Sequence, residues 1–224
     1  MKVTAIHSRG SKGSTYFIAR LLLDELEKQG AEIIEFSVQS ASPCTGCFNC
    51  FMRDEKLCPH QAENAPKIES IESADIVLLD SPCYGFGMSG QMKCFLDHLC
   101  YRWTAHRPHP SMFSKIGIAI STTAGMGAGK VTKDIAQQFF YLGIPFTFRL
   151  AFSIRAMSWS EVSEVRKEHI RRKVTATARN IIAKSGKIKP GIKSRFMFAM
   201  MRLMQKRNTW NPVEKSYWQT NGWI

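Results

Sequence analysis

Four cysteines fall close together as Cys44-x2-Cys47-x2-Cys50-x7-Cys58. Three thiols at x2 spacing can reach three corners of a cubane, with a fourth arriving from slightly further on, and iron–sulfur clusters require soft thiolate ligands. The same four thiols could hold zinc, or no metal at all. Cys83, Cys94 and Cys100 stand apart from this group and read as small apolar packing residues. Seven cysteines is an odd count, and the N-terminus leads straight into a strand rather than a signal peptide. Both features argue for reduced thiols instead of a disulfide scaffold.

A second chemistry-bearing stretch is Lys2 to Lys28. Residues 2–6 are strand-like, His7 to Ser14 supplies Gly10 and Gly13 among small hydroxyl residues, and Phe17, Leu21, Leu22 and Leu26 recur at helical spacing. A strand that feeds a helix through such a turn aims backbone N–H groups and the positive helix end at one spot, which suits a phosphate. Ser8, Ser11, Ser14 and Thr15 add hydroxyls there, with Arg9 and Lys12 nearby. The loop lacks G-x-G-x-x-G, and no acidic residue ends the second strand, which argues against a dinucleotide site. It also lacks G-x-x-x-x-G-K-[ST], which removes the support for nucleotide hydrolysis.

The elements that position these residues alternate along the chain. Strands are expected at 31–36, 74–80, 115–121 and 144–152 after the first one, and helices at 62–73, 89–101, 131–142 and 161–183 after the first. Five strands alternating with five helices predict a parallel sheet covered on both faces. Ligands of such sheets gather beyond the carboxyl ends of the strands. Ser81 to Met88 and Ser121 to Gly129 therefore share an edge with the first loop. Pro82, Tyr84, Gly85 and Phe86 make a rigid turn with aromatic faces, and Thr122 to Gly129 is small enough for backbone to approach a flat ring. Phosphate at one loop and a planar heterocycle between two others describe FMN.

The 224 residues carry a formal net charge of +13, distributed unevenly. Residues 1–152 hold 15 Lys and Arg against 14 Asp and Glu, whereas residues 153–224 hold 16 against 4. The neutral first part argues against nucleic acid as the principal partner. A domain at 1–184 and a basic extension at 185–224, rich in Met and Trp, are expected. Trp210, Tyr217, Trp218 and Trp223 argue against a disordered tail. The extension is read as packing on its own domain or a partner subunit, with a peripheral membrane helix as the alternative. No apolar run reaches the roughly 18 residues of a membrane span, so a soluble cytoplasmic protein is expected.

Ile6-His-Ser-Arg-Gly-Ser-Lys-Gly-Ser-Thr15 resembles the G-S-P-R-x-x-x-[NS]-[ST] phosphate loop of the NADPH-dependent FMN reductase family of flavodoxin-like proteins. Ser81-Pro-Cys-Tyr84 with Gly90-Gln-Met-Lys-Cys-Phe-Leu-Asp97 is similar to its S-P-x-Y…L-K-x-x-x-D segment, and Pro43-Cys-Thr-Gly-Cys-Phe-Asn-Cys50 to its P-C-x-G-C-x-x-C. The cysteine spacing resembles that of the iron–sulfur flavoprotein branch. His7 stands where the family commonly has Gly, and Arg9 where it has Pro.

The resemblance implies a doubly wound sheet of order 2-1-3-4-5 and a homodimer. It implies FMN phosphate on Ser8, Ser14 and Thr15, near Arg9; Pro82, Cys83, Tyr84 and Phe86 along the ribityl chain and ring; and Thr122, Ala124 and Gly125 on the ring's other side. The implied activity is ping-pong transfer from NAD(P)H through FMN to a small acceptor such as a quinone, an aromatic compound or free flavin. The alternative is an electron carrier that joins FMN to a [4Fe-4S] cluster on Cys44, Cys47, Cys50 and Cys58. No residue is required as a general acid or base. His98, His106 and His109 flank a loop that could edge the flavin, but each fits a surface or core place as well.

Overall fold

The computed structural model describes residues 1–10 and 13–224. Ser11 and Lys12, expected in the phosphate loop, lie outside the described residues.

Five strands, β1 (Lys2–His7), β2 (Glu32–Ser37), β3 (Ile76–Pro82), β4 (Ile116–Thr123) and β5 (Phe146–Ser153), form one parallel sheet in the order β2-β1-β3-β4-β5. The chain thus adopts the flavodoxin-like order. The three central strands read as nearly unbroken apolar runs because both their faces are covered. On one face Val3, Ala5, Ile76, Leu78, Ile116 and Ile118 pack under α1 (Ser14–Glu27) and the long helix Glu164–Lys184. On the other, Ile6, Val77, Leu79 and Ala119 pack under helices Gln61–Ser73, Gly90–Asp97 and Ala128–Tyr141. With the short turn Asn49–Met52 as α2, Gln61–Ser73 is α3, Gly90–Asp97 α4, Ala128–Tyr141 α5 and Glu164–Lys184 α6.

Gly117 on β4 is where the last of these comes closest to the sheet. A Cβ there would stand 2.6 Å from Phe139 Cδ2 and 2.9 Å from Thr147 Oγ1, so only glycine fits.

Two boundaries depart from the sequence expectation. The helix expected over 89–101 stops at Asp97, because His98 N–H and Leu99 N–H bond three residues back, to Phe95 O at 3.1 Å and Leu96 O at 3.0 Å. Helix α5 begins at Ala128, ahead of the expected Val131, because Gly127 at φ +107° turns the chain into it early.

After α6, helices α7 (Ile192–Lys206) and α8 (Pro212–Thr220) fold back onto the sheet domain. Trp218 is fully buried, and its indole N–H donates to His106 O at 2.5 Å. Phe198 stacks on Trp218 at 5.2 Å, and Trp223 meets Phe113 and Phe198 edge-on. Gln205 bonds Ala105 O at 2.8 Å and Glu214 at 3.1 Å, and Tyr217 O–H donates to Pro108 O. The aromatic density of the tail is a cluster built against residues 105–113.

Candidate functional site

The loops after β1, β3 and β4 meet at the carboxyl edge of the sheet around an open cleft of about 370 Å³. Ser8, Arg9, Ser14, Thr15, Pro82, Cys83, Tyr84, Thr122 and Ala124 all line it, as the sequence suggests. Phe86, at the exposed tip of the Tyr84–Gly87 turn, and Gly125 stand apart from its walls. The fourth wall was missed by sequence reasoning: Ile154, Ala156 and Met157 come from the loop after β5. That strand is parallel to the others, so its exit had to reach the same edge; residues 154–157 hold no glycine and no hydroxyl that would have drawn attention to them.

Local bonding fixes the walls against one another. Thr15 and Thr122 share a hydroxyl hydrogen bond of 2.5 Å, which ties the start of α1 to the end of β4. Cys83 N–H donates to Thr122 O at 2.8 Å, and the Arg9 guanidinium reaches Tyr84 O–H at 3.3 Å across the cleft. Behind Cys83, Gly127 leaves no room for a side chain: a Cβ would sit 2.6 Å from Cys83 Sγ.

Ser8 is 1 % exposed, and its Oγ has no hydrogen-bond partner among the described residues. A buried hydroxyl left unpaired is costly, and at a ligand cleft it is the signature of a group held ready for a ligand. Ser8 lines the same cleft as Gly13, Ser14 and Thr15 at the start of α1, where free N–H groups are found, so the missing partner suits a phosphate oxygen.

Beneath this loop, His7 occupies the position expected to be glycine. It is buried between Asp80, which its Nδ1 contacts, and Glu35, 2.9 Å from its Nε2. Glu35 is held in turn by Arg20 at 2.7 Å. Burial pulls the His7 pKa down, but the hydrogen bond and charge of Asp80, and then Glu35, outweigh it and raise the pKa above its ordinary 6.5. Asp80 itself lines the cleft and accepts from Ser8 N–H at 3.3 Å. When protonated, His7 offsets the charge of a carboxylate that lines the cleft beside Ser8.

The four cysteines line a separate cavity. Cys44, Cys47, Cys50 and Cys58 line one partly open cavity of about 70 Å³ with Phe48, Phe51, His60 and His98. Cys44 and Cys47 are exposed, while Cys50 and Cys58 are half-buried. Burial, followed by the charges of the other three thiols, pushes the Cys50 thiol up to about 11. His98 Nε2 donates to Ser42 O at 2.9 Å, and its Nδ1 lies 3.9 Å from Cys58 Sγ. In number and softness the donors fit a thiolate-bound cluster. Among the described residues no three His, Cys, Asp or Glu side chains converge as a metal site.

The C-terminal extension touches this segment through Asn211, which donates to Phe51 O at 3.1 Å. The loop at 106–107 adds a second hold: Arg107 bonds Cys50 O and pairs with Glu55 at 2.8 Å, while neighbouring His106 bonds Glu214 of the extension at 2.8 Å. None of His98, His106 and His109 lines the open cleft: the first is at the cysteine cavity, the second on Glu214 and the third on Ser111.

Residues 1–157 match the family model described as NADPH-dependent FMN reductase. The chain belongs to that family. Among relatives, an iron-sulfur flavoprotein of Archaeoglobus fulgidus is 32% identical over 107 residues, covering 47% of this chain and 46% of the relative. An FMN-dependent NADH:quinone oxidoreductase of Burkholderia thailandensis is 24% identical over 136 residues, 58% of this chain and 64% of the relative. Each match spans less than two thirds of the relative's length. The solved structure of a flavone reductase superposes with a TM-score of 0.60 at 16% identity, over 84% of this chain and 64% of that one, which shows the shared fold.

Proposed function

We propose that the chain is an FMN-dependent reductase that takes electrons from NAD(P)H and passes them to a small acceptor. The observation that carries this reading is the buried, unpartnered Ser8 hydroxyl at the start of α1, in a cleft walled by the loops of a family that is described by its FMN chemistry. Ser8, Ser14, Thr15 and the N–H groups opening α1 would hold the phosphate, with Arg9 closing over it from the Tyr84 side. Pro82, Cys83 and Tyr84 would flank one side of the ring, and Thr122 and Ala124 the other. The apolar Ile154, Ala156 and Met157 would shield it from water. Bound there, FMN supplies the redox chemistry, and the protein's share is placement and tuning.

A second reading, an electron carrier that also holds a [4Fe-4S] cluster, is favoured by the four thiols sharing one cavity and by the likeness to iron-sulfur flavoproteins. Cys44, Cys47, Cys50 and Cys58 would be its ligands. Anaerobic addition of NADPH or NADH to the FMN-loaded protein separates the two. Loss of the visible flavin band within seconds supports the reductase. A band that persists with both nucleotides but bleaches with a reduced ferredoxin-type donor supports the carrier.

A further inference from the structure

Helix α7 is apolar on two opposite faces. At ~100° per residue, Phe198, Met201 and Gln205 share the face that packs on the domain, through Trp218, Phe113 and Ala105. Ile192, Phe196, Met200 and Leu203 fall on the opposite face. These side chains are 86%, 70%, 42% and 58% exposed, and Met204 beside them is 60% exposed. A surface helix with one core face ordinarily carries polar residues on the other. A continuous stripe of large apolar side chains left in water marks an interaction surface.

Charge selects the occupant. Arg195, Arg202 and Lys206 run along one border of the stripe and Lys193 along the other, and α7 contains no Asp or Glu. None of these four cations forms an ion pair among the described residues. Two copies of a chain with a formal charge of +13 would bring these basic borders together, and like charges facing each other oppose association. An anionic lipid surface accepts the stripe and the cations at once. Among the described residues no helix is long and apolar enough to cross a membrane, so the fitting geometry is a helix lying in the interface.

We infer that α7 docks the protein on anionic phospholipid membranes, with Ile192, Phe196, Met200 and Leu203 entering the acyl boundary and Lys193, Arg195, Arg202 and Lys206 meeting the headgroups. Co-sedimentation of the full chain with vesicles of equimolar phosphatidylcholine and phosphatidylglycerol tests it, with pure phosphatidylcholine vesicles alongside. The expected result is binding to the mixed vesicles, weakened at least tenfold by added salt and at least tenfold by Phe196→Glu with Leu203→Glu. The replaced side chains are exposed, so thermal stability should stay near that of the wild type; the single variant Leu203→Ser repeats the test if the double variant melts early. No sedimentation with the mixed vesicles at low salt overturns the inference, as does equal binding by wild type and variants. A lipid-free dimer that the same substitutions dissociate also overturns it, by making this face a subunit interface. The inference stands independently of the flavin site.

Discussion

Replacing His7 with Gln removes the imidazolium from between Asp80 and Glu35 and leaves its shape roughly filled. The His7 and Asp80 side chains are 4% and 2% exposed, whereas Glu35 is 31% exposed and has Arg20. The cost therefore falls on Asp80, which keeps the Ser8 N–H at 3.3 Å and gains at most a neutral amide donor in place of the imidazole. Removing one partner of a buried pair typically costs about 3–5 kcal/mol, and the retained N–H puts His7→Gln near the low end, about 3 kcal/mol. For a chain of this size that lowers Tm by roughly 6–12 °C.

The loss also depends on pH. Because the folded pKa of His7 is raised above 6.5, its stabilisation is complete below that ordinary value and fades as pH climbs through the raised one. The gap between variant and wild type should be widest near about pH 6 and narrow on the alkaline side. Thermal melts across pH, repeated in an Asp80→Asn background where His7→Gln should cost less than about 1 kcal/mol, check the reasoning. An equal penalty in both backgrounds, or a gap that grows with pH, would refute it.

Ser8→Ala should not destabilise the ligand-free protein and should raise its stability by up to about 1–3 kcal/mol, since the hydroxyl it removes is buried without a partner among the described residues. It should still weaken FMN binding roughly 10- to 100-fold, the worth of one hydrogen bond to a charged group, as read by flavin fluorescence titration. Gly127→Ala forces a Cβ to 2.6 Å from Cys83 Sγ at φ +107°; a loss of about 1–3 kcal/mol is expected in denaturant melts. Trp218→Ala empties a fully buried site and frees the hydrogen bond to His106 O. About 3 kcal/mol or more should be lost, and faster protease cleavage near Phe51, which Asn211 holds, would show that the extension braces the cysteine segment.

The central strands were legible because Ile76 to Leu79 and Ile116 to Ile120 are buried on both faces, and burial on both sides erases alternation in a recognisable way. The turn from β1 into α1 was legible because its small hydroxyl residues sit between a strand and a helix. Other parts depend on partners far along the chain. His7 reads as an anomaly in a glycine position until Asp80, 73 residues on, is seen against it. Ile154, Ala156 and Met157 look like ordinary loop residues and become a wall only through the parallel register of β5 with β4. The Trp residues of the tail announced packing, but their place against residues 105–113 follows from hydrogen bonds such as Tyr217 to Pro108 that no local pattern encodes.

The central claim is that the cleft at the start of α1 is an FMN site. Titrating the purified, flavin-stripped chain with FMN and following quenching of flavin fluorescence tests it most directly. The account predicts saturable binding at one FMN per chain, weakened by Ser8→Ala and by no substitution confined to Cys44 or Cys47. Absence of saturable binding, or binding that Ser8→Ala leaves untouched, would contradict it.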